Sequence, residues 1–366
     1  MRLSLCLLLG LALLLGTVGC TGGSTPIETT GATEHRQEIT EITEPSEKIT
    51  EATEPMEETT EATEPEFVDG QEYVVKKLIG ITSLITEDGG EPFPVRTEYT
   101  YEDNRLVAAE HYRGDVLITQ WTYDGSIDRL LTEEHFFDDG EPDYRIVYTY
   151  NSDGKRLTEN WFRGDELLDE NSYSYDDQGN LILWSCISGG EEIQRMEKRY
   201  DERGNLIRLI SYDAGSIWLT EEYRYDDRGA LLTVDRVREG IKETQVYTYD
   251  EGGRWMSATS EDSRWLYTYD GEGRLTLVTV LEQDSETLLY RYQYNASGRM
   301  TLYADMGEEH TYHYDTEGNL TDFYACYPSS SQEARLEYET VTVSGEIARE
   351  LARLQDSLIA DPVEVP

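Results

Sequence analysis

Tyr267-Thr-Tyr269-Asp-Gly-Glu-Gly-Arg-Leu275 is the stretch on which the reading of the whole chain turns. Its Asp270-x-x-Gly273 core is the sequence of a type I turn. The aspartate caps the turn from its first position, and the glycine takes a left-handed conformation at the fourth. A glycine there makes the bulge on which a right-twisted hairpin closes. Such a loop sets Asp270 opposite Arg274 and Tyr269 opposite Leu275. Thr268, between the tyrosines, then points to the other side, which gives a half-buried antiparallel strand.

Working outward, the unit recurs. The second tyrosine falls at positions 101, 123, 150, 175, 200, 225, 249, 269, 294 and 314, in steps of 20 to 27 residues. The residue expected to face it is Leu106, Leu130, Leu157, Leu181, Leu206, Leu231, Trp255, Leu275, Met300 or Leu320, all apolar. The residue just before that tyrosine is Thr, Ser, Arg, Gln or His in every copy. Arg113-Gly-Asp115, Arg163-Gly-Asp165, Ser188-Gly-Gly190 and Arg238-Glu-Gly240 mark a second turn between copies. Each copy is therefore two strands. The fold class is all-β: tandem β-hairpin repeats forming a long, coiled antiparallel meander of about twenty strands, because open twisted sheets rarely pass ~10 strands without curling. Its end strands need covers. Ile347, Leu351, Leu354 and Leu358 recur at helical spacing behind Ser344 as an N-cap, which predicts a short C-terminal helix capping the last strand.

The Tyr-x-Tyr-Asp-x-x-Gly-Arg/Asn-Leu unit resembles the YD repeat of the RHS family, over roughly residues 97–325. The resemblance implies a β-repeat fold of the kind that large surface and toxin proteins coil into a hollow shell around cargo. It also implies carbohydrate binding as one role for such repeats. Neither an RHS core segment nor a toxin-like domain is read in this sequence, so the cargo-carrying function is not carried over.

The N-terminus speaks to location. Arg2, a leucine-rich run from Leu3 to Leu15 and the small residues of Gly16-Thr-Val-Gly-Cys20 follow one another in the order of an export signal. The apolar run falls short of the ~20 residues a membrane-spanning helix needs. Gly19-Cys20 resembles a bacterial lipobox, with Thr17 where leucine is usual, and this makes Cys20 the lipid attachment site. Glu38-Ile-Thr-Glu-Ile-Thr-Glu-Pro-Ser-Glu47 is echoed twice more at a period of ten, without an aromatic residue. Such a segment cannot bury enough apolar area to order itself. The expected organisation is a signal peptide at 1–19, a lipidated cysteine and disordered stalk at 20–66, an introductory hairpin at 67–98, the repeats at 99–343, the helix at 344–360 and a tail at 361–366. The anchored body would project to the cell wall or surface.

Net charge is −44, and residues 67–366 carry −34 of it. Such a field repels nucleic acid and other polyanions. Only Cys186 and Cys326 lie in the body, too few for a disulfide framework, and twelve strands are expected between them. No nucleophile elbow, zinc motif, phosphate loop or calcium ladder is present, so no catalytic, metal or cofactor residue is assigned. His111 and His135 read as strand-surface residues, and His310 and His313 point to opposite faces. The tyrosines read as a structural ladder. Trp184 and Trp218 are the candidate ligand-binding residues, because parity from the tyrosines puts both on the opposite face. The function expected is a non-enzymatic surface scaffold for a neutral glycan or protein partner, with membrane contact through the lipid alone. The alternative is a surface enzyme whose site is spread over several repeats.

Overall fold

The computed structural model describes residues 67–359 apart from 69, 88, 89, 283 and 284. The signal sequence, Cys20 and the stalk lie outside the described residues. Twenty-two strands and one helix follow in order. The first are β1 (Glu72–Glu87), β2 (Phe93–Glu102), β3 (Arg105–Arg113), β4 (Val116–Gly125), β5 (Leu130–Phe136) and β6 (Pro142–Tyr150). Next come β7 (Arg156–Arg163), β8 (Glu166–Tyr175), β9 (Leu181–Ser188), β10 (Glu191–Tyr200), β11 (Leu206–Asp213) and β12 (Ser216–Tyr225). Then β13 (Leu231–Arg238), β14 (Ile241–Tyr249), β15 (Trp255–Thr259), β16 (Ser263–Tyr269) and β17 (Leu275–Glu282). The last are β18 (Ser285–Tyr294), β19 (Met300–Ala304), β20 (Glu309–Tyr314), β21 (Leu320–Cys326), β22 (Ser330–Ser344) and α1 (Gly345–Asp356).

Every strand pairs antiparallel with the next, and the array does not stay open. β22 pairs with β1 from Glu72↔Ser344 to Glu87↔Ser330, so the sheet closes on itself as a 22-stranded ring. The coiled meander expected from the repeats is thus closed end to end. The physical reason lies at the two ends. β1 and β22 are the longest strands, at 16 and 15 residues, and left unpaired they would present the longest runs of unsatisfied backbone. Closure removes both edges at once.

The repeat turns follow the expected chemistry. In the fourth copy Gly179 N–H donates to Asp176 C=O at 2.9 Å, and Asp176 N–H donates to Asn180 C=O at 2.9 Å. The Asp176 carboxylate accepts from the amides of Gln178 and Asn180 at 3.0 and 2.8 Å. Gly204 holds the same place in the next copy at φ +86, with open space where a Cβ would stand. Gly204→Val should therefore cost about 1 kcal/mol or more through backbone strain alone. Urea denaturation of the variant checks this, and an unchanged midpoint would contradict the turn geometry.

Most of the second tyrosines donate to a backbone carbonyl of the preceding copy. Tyr200, Tyr225 and Tyr249 donate to the carbonyls of Leu181, Leu206 and Leu231 at 3.0, 2.8 and 2.7 Å. Tyr294, Tyr314 and Tyr338 repeat this on Leu275, Met300 and Leu320 at 2.9, 2.7 and 2.6 Å. The residue that accepts is the one facing the previous tyrosine. Successive hairpins are thereby tied at the turn end, beyond what the ladder alone supplies.

Nine of the ten expected facing residues stand where they were expected; the exception is Leu157. Tyr150 faces Arg156 instead, because the Asn151-to-Lys155 turn has the same length as its neighbours and Leu157 falls one place further on. After the facing residue each odd strand bulges, as between Leu181 and Leu183, where Ile182 has no partner on β8. The bulge reverses parity. Trp184 pairs with Tyr173, so it lies on the tyrosine face, which corrects its expected placement. Trp218 sits within a second bulge, between Ile217 and Leu219, under the Arg238 guanidinium at 5.0 Å.

Side chains converge on the concave side of a closed sheet and splay on the convex side. The buried tyrosines belong to the tyrosine face, as do Leu231, Val234, Leu275, Val278 and Leu320, while Thr149, Ser174, Arg199 and Arg224, each just before a second tyrosine, are exposed. The tyrosine face is thus the inner one. Its buried apolar cluster runs with the sheet from Leu231 and Val234 through Tyr247, Val278 and Tyr292 to Tyr312 and Leu320. A second joins Leu78, Ile81 and Ala334 to Leu354 of α1.

The helix lies across the seam, with Ala348, Leu351 and Leu354 buried. It also reaches the first turns: Glu346 pairs with Arg105 at 2.9 Å, Glu350 accepts from Ser126 at 2.6 Å and Arg353 pairs with Asp128 at 3.0 Å. It covers more than the last strand. Ser344 holds the N-cap position without a side-chain cap bond, and Gly345 N–H donates to Gln71 C=O at 3.0 Å instead. Cys186 on β9 and Cys326 on β21 form no disulfide. Around a 22-stranded ring they stand twelve strands apart one way and ten the other, so closure does not bring them together.

Candidate functional site

The bulge supplies a rule for what faces inward: the third and fifth residues after the one facing the tyrosine. From β15 onward the strand positions are Ala258, Val278, Val280, Tyr303, Phe323 and Ala325, with Ser260 and Asp305 just past the ends of β15 and β19, and the inner face is mostly apolar. From β5 to β13 they are Glu133, His135, Glu159, Trp161, Trp184, Cys186, Leu209, Ser211, Val234 and Arg236. One arc of the ring is therefore lined with charge and aromatic rings. That arc is the candidate site.

Its centre spans β5 to β8. The His135 ring stacks on Tyr144 at 4.2 Å and 18°, and Tyr144 stacks on Trp161 at 5.4 Å and 19°. Three nearly parallel rings thus cross three adjacent strands. Two carboxylates flank them. Glu133 meets His135 Nε2 at 2.7 Å and accepts from Tyr148 Oη at 3.2 Å. Glu159, 4% exposed, accepts from Arg156 at 2.9 Å, from Trp161 Nε1 at 2.9 Å and from Tyr173 Oη at 3.3 Å. Burial alone would raise the Glu133 pKa, but hydrogen bonds from His135, Tyr148 and Trp121 outweigh it and hold the carboxyl below its ordinary value. Burial pushes the Tyr144 and Tyr173 hydroxyls up to about 12, so both remain donors. Next to Glu159, Asn171 is 3% exposed and its Oδ1 lacks a hydrogen-bond partner. The arrangement offers apolar ring faces bordered by fixed acceptors.

A second ionic group lies further round, where Glu221 meets Arg236 at 2.6 Å and Tyr223 Oη at 2.5 Å. His111 bonds Thr97 at 3.0 Å and His135 approaches Thr119 at 3.4 Å. Both histidines are inner-face residues, which corrects their reading as surface positions. His310 faces Tyr303 inside, and His313 pairs with Asp322 outside. Trp184, half-buried beside Tyr173, borders the centre, whereas Trp218 lies three strands away on β12. The two tryptophans are not brought together. Among the described residues no cluster of histidine, cysteine or carboxylate has the makings of a metal site.

Comparison with known families matches residues 185–320 to the model of the Teneurin YD-shell. That segment carries six of the tyrosine turns described above. Over that segment the chain is similar to the YD-repeat, or RHS-repeat, family. No curated protein matches it. Among solved structures, this YD-repeat chain is similar to one described as TcdB2-TccC3-Cdc42, at a TM-score of 0.31 and 14% identity. The match covers 71% of this chain and 20% of that one. A TcdB2-TccC3-TEV structure follows at 0.29 and 15%, covering 67% of this chain and 16% of that one. A porin-like protein from Bacteroides uniformis scores 0.30 at 12% identity, covering 71% of this chain and 98% of that one. This YD-repeat chain spans a fifth or less of the first two.

Proposed function

We propose that this YD-repeat protein is a lipid-anchored surface scaffold, tethered through Cys20, whose inner polar arc binds a neutral glycan. The stacked His135–Tyr144–Trp161 rings between Glu133 and Glu159 carry the reading. Flat rings take the apolar faces of sugars, and fixed carboxylates accept their hydroxyl protons. The −34 body supports a neutral ligand, since a polyanion would have to overcome that field. Binding is favoured over catalysis. Glycosidase chemistry needs one carboxyl kept protonated, whereas Glu133 is held toward its charged form and Glu159 is paired with Arg156.

A neutral-glycan array probed with the repeat-bearing protein, followed by calorimetry, tests this. Trp161→Ala should weaken binding tenfold or more while the fold is kept. Binding to no neutral glycan, or undiminished binding by the variant, would overturn the proposal. Anchoring has its own readout: Cys20→Ser should move the protein from the membrane fraction to the medium, and unchanged fractionation would defeat it.

A further inference from the structure

The bulge that turns Trp184 inward has an outward consequence. The residue displaced in five successive copies is Leu157, Ile182, Ile207, Leu232 and Met256, each between 36% and 51% exposed. They follow inward-facing residues and precede Thr158, Leu183, Arg208, Thr233 and Ser257, which pair with outward positions, so the five form one apolar stripe on the outer face. In the next three copies the place is taken by Thr276, Thr301 and Thr321, and the stripe ends. Adjoining it, Arg199 and Arg208 stand directly opposite each other across β10 and β11. Like charges in that position destabilise a sheet. Neither arginine has an ion-pair partner among the described residues, and Arg208 Nε is buried without an acceptor. Arg208 also stands opposite Glu222 across β11 and β12, yet neither guanidinium is within ion-pair distance of a carboxylate among the described residues. The two make a local positive spot for one or two carboxylates on a body whose overall field repels polyanions.

Successive members of the stripe are two strands apart, about 9.6 Å. A polyproline II helix repeats every three residues, at about 9.3 Å. Five half-exposed side chains amount to a few hundred Å², the size of the largest patches that monomers leave open. That is well short of the ~800 Å² per partner of a stable protein interface. A narrow, extended occupant fits, and a second copy does not.

We infer that the outer stripe from Leu157 to Met256 docks an acidic polyproline II segment of a partner protein, with an apolar residue at every third position and its carboxylates over Arg199 and Arg208. This surface is independent of the inner arc. A fluorescent (Leu-Pro-Glu)5 peptide titrated into the full chain tests it. Affinity should fall tenfold or more in Ile207→Ser and in Arg199→Glu, and with a (Leu-Pro-Lys)5 peptide. Trp161→Ala should leave it unchanged. Both stripe residues are exposed, so the variants should fold, which circular dichroism checks. Equal binding of the two peptides, no binding of the acidic one, or a dimer that Ile207→Ser dissociates would overturn the inference.

Discussion

Arg156→Ala should destabilise the protein by about 3–5 kcal/mol, because it strands a buried carboxylate. The Glu159 side chain is 5% exposed, and the Arg156 guanidinium meets it at 2.9 Å. The remaining donors, from Trp161, Asn171 and Tyr173, are neutral. They cannot replace the lost charge. Adding Glu159→Gln to the variant should recover most of the loss, since an amide keeps the shape without the charge. Urea denaturation of the two singles and the double checks this. Additive losses would mean that the pair is not coupled and that the inner arc is less enclosed than its geometry implies.

Removing α1 by ending the chain at Ser344 should be the other large effect. Leu351 and Leu354 are each 3% exposed, and Leu354 is packed with Leu78, Ile81 and Ala334 at the seam. Leu354→Ala alone should cost about 2–5 kcal/mol. The helix also ties the seam to the first turns through Arg105, Ser126 and Asp128. Truncation should therefore speed amide exchange in β1 and β22 far more than in mid-ring strands such as β11. A uniform increase around the ring would mean that α1 stabilises the sheet generally and is not a clasp.

The strands, both kinds of turn and the tyrosine alternation were legible because each is a local rule: Asp-x-x-Gly with its bulge, period two, glycine at positive φ. Closure was not. It depends on β1 meeting β22, more than 240 residues away, and nothing in either strand's own pattern names its partner. The inner site was lost to one bulge per copy. Counting parity straight through Ile182 sends Trp184 outward, whereas the skipped residue returns it to the inner face beside Tyr173. A signal was available in Glu133-x-His135 and Glu159-x-Trp161, which stand at the same offset in successive copies. Leu157 misled for a related reason. The turn before it has the usual length, so Arg156 takes the facing position and Leu157 the bulge, and a charged residue there looks like a break in the repeat until its buried partner is seen.

Closure of the ring is the claim on which the inner and outer faces both depend, and engineered cysteines across the seam test it most directly. Val74 faces Thr342 and Val75 faces Val341 in neighbouring registers of β1 and β22. Antiparallel partners have Cα atoms ~4.5 or ~5.5 Å apart, inside the ~7 Å that a disulfide spans. Under mild oxidation, Val74→Cys/Thr342→Cys or Val75→Cys/Val341→Cys should give a monomer whose digest contains the peptide linking β1 to β22. Free thiols in both double variants, or bridges formed only between molecules, would contradict the closed ring.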